Sequence, residues 1–342
     1  MTIRINGRSL ATAVLARCLQ LKGASFTLAA GADRPPSGPQ FICINDVAIS
    51  LLRDLFPALW VGGDGPGHAL TMREVIWGDD PVPQRIAQEG RVVDVGALTS
   101  RLFDMLDRVE MDTKGPVERE VNSTTCRSNM LQTGDRTMLT SRVELNRPIA
   151  PARSLIESLM DGWMFLAPID AASGILQAMV PKSPADPSAR LRAMLDQSAL
   201  ISPHVARLGA IKNFPAAPAI RLPLAGPGGI FVGGPGVRLD PVSGEGAPFA
   251  IRTAILAAAV LTCQDAVEDA AGHYRQRIVT SFLNHLDGCQ SFYAEAFCVD
   301  ADWQLELRKS RIARTMLQAA IAETEKVPSL RLEGLNLVPQ AG

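Results

Sequence analysis

The sequence has few of the residues from which metal centres and disulfide frameworks are built. Its 342 residues include six cysteines and four histidines. The cysteines form no C-x-x-C pair, and the histidines show no H-x-x-x-H spacing, which would place two imidazoles on one face of a helix. This pattern predicts no metal site and indicates reduced, packed thiols of a cytoplasmic protein.

An excess of charge and a long apolar run are also missing. The formal net charge is -1, the pI is about 6.4, and no basic stripe appears, which argues against a nucleic-acid partner. The longest apolar stretch, around residues 254–263, is too short to cross a bilayer. Residues 1–5 enter a strand pattern without the apolar segment of a signal peptide. The expectation is a cytoplasmic protein that binds neither nucleic acid nor membrane.

The opening of the chain has the pattern of a strand, a helix and a second strand. Residues 3–5 read as a strand, residues 12–22 carry apolar positions of a helix that ends at Gly23, and residues 25–29 read as the next strand. Dinucleotide-binding proteins have G-x-G-x-x-G in the first turn and an acidic residue after the second strand. On that pattern, the four positions here fall on Asn6, Arg8, Ala11 and Ala30.

A glycine-rich stretch, residues 233–246, lies between two apolar segments. Residues 229–232 read as a short buried strand, and residues 247–263 read as a buried helix rich in alanine, isoleucine, leucine and valine. A strand, a glycine-rich loop and a helix start together make a place where backbone N–H groups point at a ligand. This stretch is therefore predicted to hold a cofactor.

Residues 240–246, which read D-P-V-S-G-E-G, resemble a late motif of the flavin-dependent monooxygenases and halogenases of the aromatic-hydroxylase type. That motif is roughly G-D-A-x5-D-P-x-x-G-x-G. The resemblance implies a loop against the ring of a bound FAD. It also implies an Asp that binds a ribityl hydroxyl, at a position that is Gly234 here. The cofactor contacts expected from the resemblance are Gly7, Arg8, Gly233, Asp240, Pro241, Gly244 and Gly246.

A second similarity lies in residues 161–169. They resemble the strand that carries Trp-x-Trp-x-Ile-Pro in tryptophan halogenases, here with Trp163, Phe165 and Pro168. Rings at positions i and i+2 lie on one face of a strand, where they line a substrate pocket or form ordinary core aromatics. Halogenases of this kind also use a lysine early in the chain. Because no lysine lies between Lys22 and Lys114, halogenation is not expected.

Four departures from the family pattern concern contacts to FAD. Arg8 would fill the space where the pyrophosphate approaches the backbone, and Ala30 cannot accept a hydrogen bond from the ribose. Gly234 lacks the ribityl-binding carboxylate, and Val95 stands where the family usually has an arginine. Since each hydrogen bond contributes about 0.5–1.5 kcal/mol net, FAD binding is expected to be weakened or lost, unless other residues have taken over these contacts.

The fold class predicted by pattern and resemblance together is α/β. A Rossmann-like FAD-binding-type domain would comprise residues 1–55, 90–135 and 215–270, with the strand 229–232 beside the opening strand. A β-rich substrate-type domain would comprise residues 56–89 and 136–214. Residues 271–342 would form C-terminal helices and a loosely packed tail. The predicted helices near that end are 267–286, 290–297 and 308–323.

Two functions remain open at this stage, with a weaker third. The first is a divergent member of the superfamily, with little or no FAD binding, that acts as a binding or maturation factor in a biosynthetic pathway. It would engage a small molecule, a peptide or protein substrate, or a partner enzyme. The second is an active FAD-dependent monooxygenase that hydroxylates a small molecule or a residue of a partner protein. The third is an enzyme with another cofactor, in which Arg8 binds an anion.

Overall fold

The structure is a computed structural model. It describes residues 2–29, 40–63, 65–106, 110–111, 119–123, 130–150, 152–226, 229–263, 267–322 and 330–339. The expected acidic position at residue 30 lies outside these residues.

Helices and strands alternate along the chain, and most of the strands form two main sheets. The helices are α1 (Leu10–Leu21), α2 (Asp46–Leu55), α3 (Val95–Asp104), α4 (Pro187–Gln197), α5 (Gly246–Leu261), α6 (Val267–Ala296) and α7 (Ala301–Ala322). The strands are β1 (Ile3–Asn6), β2 (Phe26–Leu28), β3 (Phe41–Asn45), β4 (His68–Ile76), β5 (Gln84–Asp94), β6 (Glu110–Met111), β7 (Arg119–Asn122), β8 (Met130–Gln132), β9 (Thr137–Leu145), β10 (Arg153–Leu159), β11 (Gly162–Pro168), β12 (Ser173–Val180), β13 (Val205–Pro215), β14 (Ala219–Arg221), β15 (Ala225–Gly226), β16 (Gly229–Phe231), β17 (Val237–Arg238), β18 (Leu330–Glu333) and β19 (Asn336–Pro339).

The six-stranded sheet has the order β15-β16-β7-β1-β2-β6. Strand β1 is parallel to both β2 and β7, with α1 as the crossover between β1 and β2, so the predicted opening unit is confirmed. The strand before the glycine-rich loop, β16, pairs with β7 and not with β1. The expectation that it lies beside the opening strand is therefore wrong. The short segment that became β7 alternates too poorly for its place between the two to be predicted.

Helices α1 and α5 pack against this sheet with small side chains. Nine residues of α1 are buried, and α5 is rich in buried alanine. Ala11 of α1 lies under the glycine-rich loop, where a Cβ added to Gly233 would come within 3.0 Å of the Ala11 Cβ. The close approach explains why this loop position is a glycine.

The eight-stranded sheet has the order β13-β9-β12-β11-β10-β4-β5-β3. This sheet faces the glycine-rich loop across a small cavity. Two of its strands, β3 and the end of β5, lie within ranges predicted for the cofactor-type domain. The domain limits stay a prediction, but this one sheet contains strands from both predicted domains. A separate three-stranded sheet has the order β17-β14-β8.

The C-terminal part differs from the prediction in two ways. Residues 267–296 form one continuous helix, α6, where two helices had been expected. The predicted gap at residues 287–289 contains Gly288, but buried residues on both sides of it, Leu286, Cys289 and Tyr293, hold the helix together. The tail is not loose throughout, because β18 and β19 pair and Lys22 Nζ donates a 2.8 Å hydrogen bond to the Leu335 carbonyl.

Candidate cofactor and ligand site

The turn between β1 and α1 is closed by its own side chains. Gly7 has a positive φ of 93°, and Ser9 is the N-cap of α1. The Thr12 N–H donates to Ser9 Oγ at 3.2 Å, and the Ser9 N–H donates to Thr12 Oγ1 at 2.8 Å. This capping box satisfies two donors of the kind that bind a pyrophosphate in dinucleotide-binding proteins. The Ser9 and Ser123 hydroxyls, 2.6 Å apart, tie the turn to β7.

Arg8 extends from this turn towards α3. Its guanidinium carbon lies 4.6 Å from the centroid of the Phe103 ring, which is a cation–π contact. The N-terminus of α3 is also capped, because Asp94 Oδ1 accepts from the Ala97 N–H at 2.8 Å. Val95 is the first residue of that helix. The resemblance implies an arginine at this position in most of the family.

The second half of the predicted site begins at Gly233 and Gly234. The Gly233 N–H donates to Thr253 Oγ1 at 3.3 Å, which fixes the loop to α5. A Cβ built on Gly234 meets no atom of the described residues within 4 Å, so these residues leave room for the first atom of a side chain here.

Residues 240–246 form a short 3-10 turn followed by the start of α5. Asp240 caps the turn Pro241–Ser243, and Gly244 takes the left-handed conformation with φ 66°. The N-cap of α5 is Glu245, and no side-chain hydrogen bond from the described residues caps this helix. The Glu245 carboxylate accepts from Asn45 Nδ2 at 3.3 Å and lies 3.4 Å from Arg252 Nη1.

The Asp240 carboxylate is held in a buried ionic network. Arg136 Nη1 lies 3.1 Å from Asp240 Oδ2, and Arg136 Nε lies 3.1 Å from Glu306 Oε1 of α7. The exposed fractions of these side chains are 1%, 0% and 2% for Arg136, Asp240 and Glu306. Burial by itself would lower the pKa of Arg136, but the two carboxylates raise it overall, so the guanidinium stays charged.

Groups on α6 complete this network. Tyr293 donates from its hydroxyl to Asp240 Oδ1 at 2.7 Å, and the Asp240 N–H donates to His285 Nε2 at 2.8 Å. Burial raises the pKa of Tyr293, and the nearby Asp240 charge raises it further. Burial lowers the pKa of His285, which keeps its Nε2 free to accept. The loop is thus fixed by groups from distant parts of the chain, a convergence that no local sequence signal indicates.

The three residues predicted to line a substrate pocket lie on β11. Trp163 is 3% exposed, and its Nε1–H donates to the Tyr293 hydroxyl at 3.2 Å. It packs in an aromatic cluster with Tyr293, Phe297 and Trp303. Phe165 is half-buried and contacts both this cluster and the one around Phe41. Pro168 is buried at the strand end opposite Gly174. None of the three lines the clefts described next, and their pocket role stays a prediction.

Two clefts meet between the loop and the large sheet. The inner cavity, of about 30 Å³, runs from strands β3, β4 and β5 to Ser243 and Gly244. The outer cleft, of about 380 Å³, opens to solvent beside Asp46 and Ile86. Arg73 of β4 lines both. A single arginine in an alternating strand looks like a solvated side chain, so no pattern in the sequence singled out Arg73.

Metal ligation has no support in the ranges that the structure describes. They contain no group of three or more His, Cys, Asp or Glu residues that could hold an ion. The same ranges contain no helix both long enough and apolar enough to span a membrane.

Comparison with known proteins gives matches among solved structures. No protein-family model matches the chain, and no curated protein sequence does either. Peptidyl tryptophan dihydroxylase QhpG, essential for tryptophylquinone cofactor biogenesis, is 19% identical, with a TM-score of 0.73 over 89% of this chain and 78% of that one. The flavin-dependent halogenase CmlS is 13% identical, with a TM-score of 0.75 over 94% and 70%. The myxobacterial chondrochloren halogenase CndH, a FAD-dependent enzyme, is 15% identical, with a TM-score of 0.74 over 94% and 90%.

The chain therefore has the fold of the flavin-dependent halogenases and hydroxylases. The resemblance seen in the sequence is confirmed at this level, as is the predicted α/β class with a helical C-terminus. Among the folds compared, one belongs to an enzyme that modifies tryptophan within a peptide, and two belong to halogenases.

We call residues 240–246 with the start of α5 the ring end of the predicted FAD site, and the turn between β1 and α1 its phosphate end. At the ring end, Gly244 is left-handed, and no side chain of the described residues caps the start of α5. At the phosphate end, Arg8 stands at a glycine position of the dinucleotide-binding pattern, and a capping box uses the Ser9 and Thr12 N–H groups. The residues present fit the flavin ring better than the diphosphate.

Proposed function

We propose that this protein is a divergent member of the flavin-dependent monooxygenase and halogenase superfamily in which FAD binding is weakened or lost. It acts as a binding or maturation factor in a biosynthetic pathway. The observation that carries the proposal is the turn between β1 and α1. There the Thr12 N–H donates to Ser9 and the Ser9 N–H donates to Thr12, and Arg8 stands where the family pattern has a glycine that lets the diphosphate approach the backbone.

The energetic argument adds independent small losses. The carboxylate missing at Gly234 removes one hydrogen bond, and the capping box makes the α1 donors compete with their own side chains. Each such bond contributes about 0.5–1.5 kcal/mol. Two or three of them amount to a loss of roughly ten- to a thousandfold in affinity. A loss of this size would make FAD easier to remove from the protein by dilution.

A protein or peptide ligand is favoured by one comparison. QhpG, with the same fold, is described as a peptidyl tryptophan dihydroxylase essential for tryptophylquinone cofactor biogenesis. Maturation of a partner enzyme is therefore the pathway role that we propose, with a small molecule as the other ligand class.

A second candidate function is an active FAD-dependent monooxygenase. It is favoured by the ring-end loop, where the α5 N-terminus has no side-chain cap from the described residues and its amides could face a negatively charged ring. In that function FAD would supply the oxygen chemistry, and Pro241, Gly244 and Gly246 would position its ring.

Flavin uptake separates the two functions. The purified protein is mixed with FAD, passed over a desalting column, and the bound flavin is measured by absorbance. We expect far less than one FAD per chain. Protein that purifies with flavin near stoichiometry would reject the proposal in favour of the monooxygenase.

A double variant tests the assignment of the phosphate end. Arg8→Gly with Gly234→Asp should raise the affinity for FAD by about tenfold or more, because it opens the turn and restores a ribityl acceptor. Gly234→Ala with Arg8 retained is the matched control, since a Cβ at this position meets nothing and adds no acceptor. Equal FAD affinity of the double variant and the control would show that these positions do not face the cofactor.

A further inference from the structure

Arg73 is a half-buried cation on β4. Its Nε is buried and has no hydrogen-bond partner among the residues that the structure describes. Within the ranges described here it makes no ion pair, although Asp46 and Glu89 line the same outer cleft. The neighbouring residue on β4 shows the opposite situation. Glu74 lies 3.1 Å from Arg85 Nε and 2.5 Å from Arg153 Nε.

An unpaired guanidinium in such a place is costly. Burial lowers the pKa of Arg73, with the nearby Cys43 sulfur offsetting part of this effect. Removing water from a charge without a partner costs free energy that an incoming anion recovers. A carboxylate is the anion that matches the planar guanidinium, because it accepts two parallel hydrogen bonds.

The shape of the two clefts sets the size of the ligand. The inner cavity of about 30 Å³ has room for about two water molecules, which is space for a carboxylate head. It also contains the polar side chains of Asn45 and Ser154. The outer cleft of about 380 Å³ falls in the range of small-ligand pockets, and Ile86 and Ala87 give it apolar surface.

The acidic groups at the mouth restrict the charge of the ligand. Asp46 and Glu89 are exposed and line the outer cleft, and Glu89 also borders the inner cavity. A phosphate or other dianion would meet their repulsion, whereas a monocarboxylate reaching Arg73 carries only one charge past them.

We propose that the Arg73 cleft binds a ligand with one carboxylate and an apolar or aromatic body, the carboxylate against Arg73 and the body in the outer cleft. This goes beyond the proposed function, since it names a ligand class and does not depend on whether FAD binds.

Benzoate is the probe, with benzamide as its neutral analogue of the same shape and inorganic phosphate as the dianion. Each is titrated into the full-length protein by calorimetry at constant ionic strength and without FAD. We expect benzoate to bind in the millimolar range or tighter, and benzamide and phosphate to bind at least about tenfold more weakly.

Variants assign the binding to Arg73. Arg73→Gln should weaken benzoate binding by about tenfold or more. Arg192→Gln, which removes the same charge from an exposed position on α4, should leave it unchanged. If Arg73→Gln does not fold, Arg73→Lys replaces it. The lysine keeps the charge, loses the two-pronged geometry, and should give an intermediate affinity.

Three results would overturn the proposal. They are no binding of millimolar benzoate, equal affinity for benzoate and benzamide, and equal benzoate affinity in the Arg73 and Arg192 variants. Because FAD is absent from this titration, a failure here leaves the flavin uptake result standing, and a failure of the uptake test leaves this one standing.

Discussion

The N-termini of α1 and α5 are both predicted to contact a cofactor, and they are built differently. Helix α1 has reciprocal hydrogen bonds between Ser9 and Thr12. Helix α5 begins at Gly246 with no side-chain cap from the residues described, after a loop that is anchored by Arg136, Tyr293 and His285. One helix start is capped by side chains of its own turn, and the other follows an anchored loop without such a cap.

The difference teaches that the family-like loop is not by itself a sign of FAD. Asp240 is the first residue of the matching motif, and its carboxylate accepts from Tyr293 and the Val242 N–H and forms an ion pair with Arg136. Replacing it would remove one of the two carboxylates paired with the buried Arg136, so this residue contributes to the fold whether or not a flavin binds. The turn between β1 and α1 is held by a capping box instead, and its sequence departs from G-x-G-x-x-G.

The largest expected effect comes from breaking the anchor of the ring end. Arg136→Met removes the cation and leaves the Asp240 and Glu306 carboxylates buried without it. We expect a loss of about 3–5 kcal/mol in the free energy of unfolding, measured by urea denaturation. Arg142→Met on β9 is the control, because its pair with Asp170 is exposed and should contribute less than about 1 kcal/mol. Similar losses in both variants would mean that the network does not hold the loop.

A smaller effect is expected within the loop itself. Gly244→Ala places a side chain at φ 66° and should cost about 1–2 kcal/mol. Gly246→Ala, two residues on, has open space around its Cβ and no positive φ, so its effect should be near zero. Denaturation midpoints of the two variants give the comparison. If the order is reversed, the ring-end turn differs from the one described.

Removing the N-cap of α1 tests the contrast between the two helix starts. Ser9→Ala takes away the acceptor of the Thr12 N–H and should lower stability by about 1 kcal/mol. Alanine at the N-cap of α5, Glu245→Ala, removes no capping hydrogen bond, and the loss of stability should be smaller. Thermal denaturation of both variants measures the difference. Equal losses would contradict the contrast between the two helix starts.

The smallest expected effect is a dependence on pH. His285 accepts from the Asp240 N–H only when its Nε2 is unprotonated, and burial lowers its pKa below the usual 6.5. Near it, the Asp240 charge raises the pKa and Arg136 lowers it. Between the lowered pKa and 6.5 the unfolded chain binds more protons, so stability falls as pH is reduced through this range.

His285→Gln keeps an acceptor and removes the titration. The stability difference between the original protein and this variant should therefore shrink as pH is lowered from 7 towards 5, as followed by urea denaturation. The other histidines with lowered pKa values, His204 and His273, are present in both proteins and cancel. A pH-independent difference would place His285 outside the network.

The sequence allowed prediction of features that depend on neighbouring residues. The opening β1-α1-β2 unit and the strand, loop and helix around residues 229–261 follow from periodicity, glycine positions and caps, which are local. The resemblance in residues 240–246 then pointed to the fold. The continuity of α6 through Gly288 was missed because packing from other elements overrode a local breaker.

The side chains that meet at the candidate site could not be predicted in the same way. Arg136 and Glu306 each lie in polar surroundings along the sequence, and only the folded chain brings them to Asp240. Arg73 lacks any motif, and its importance rests on the absence of a partner among the described residues, which a sequence does not record. Local patterns predicted the backbone of the site, and long-range contacts determine its charges.

The position of Glu306 has a consequence for how the protein is made. Its carboxylate accepts from the backbone N–H of Arg136, 170 residues earlier in the chain. A nascent chain whose α7 is still inside the ribosome can pair Arg136 with Asp240 but lacks the Glu306 carboxylate, the second partner of this guanidinium. The β1-α1-β2 unit can therefore form early during translation, whereas the buried ionic network beneath residues 240–246 is completed only after α7 has emerged.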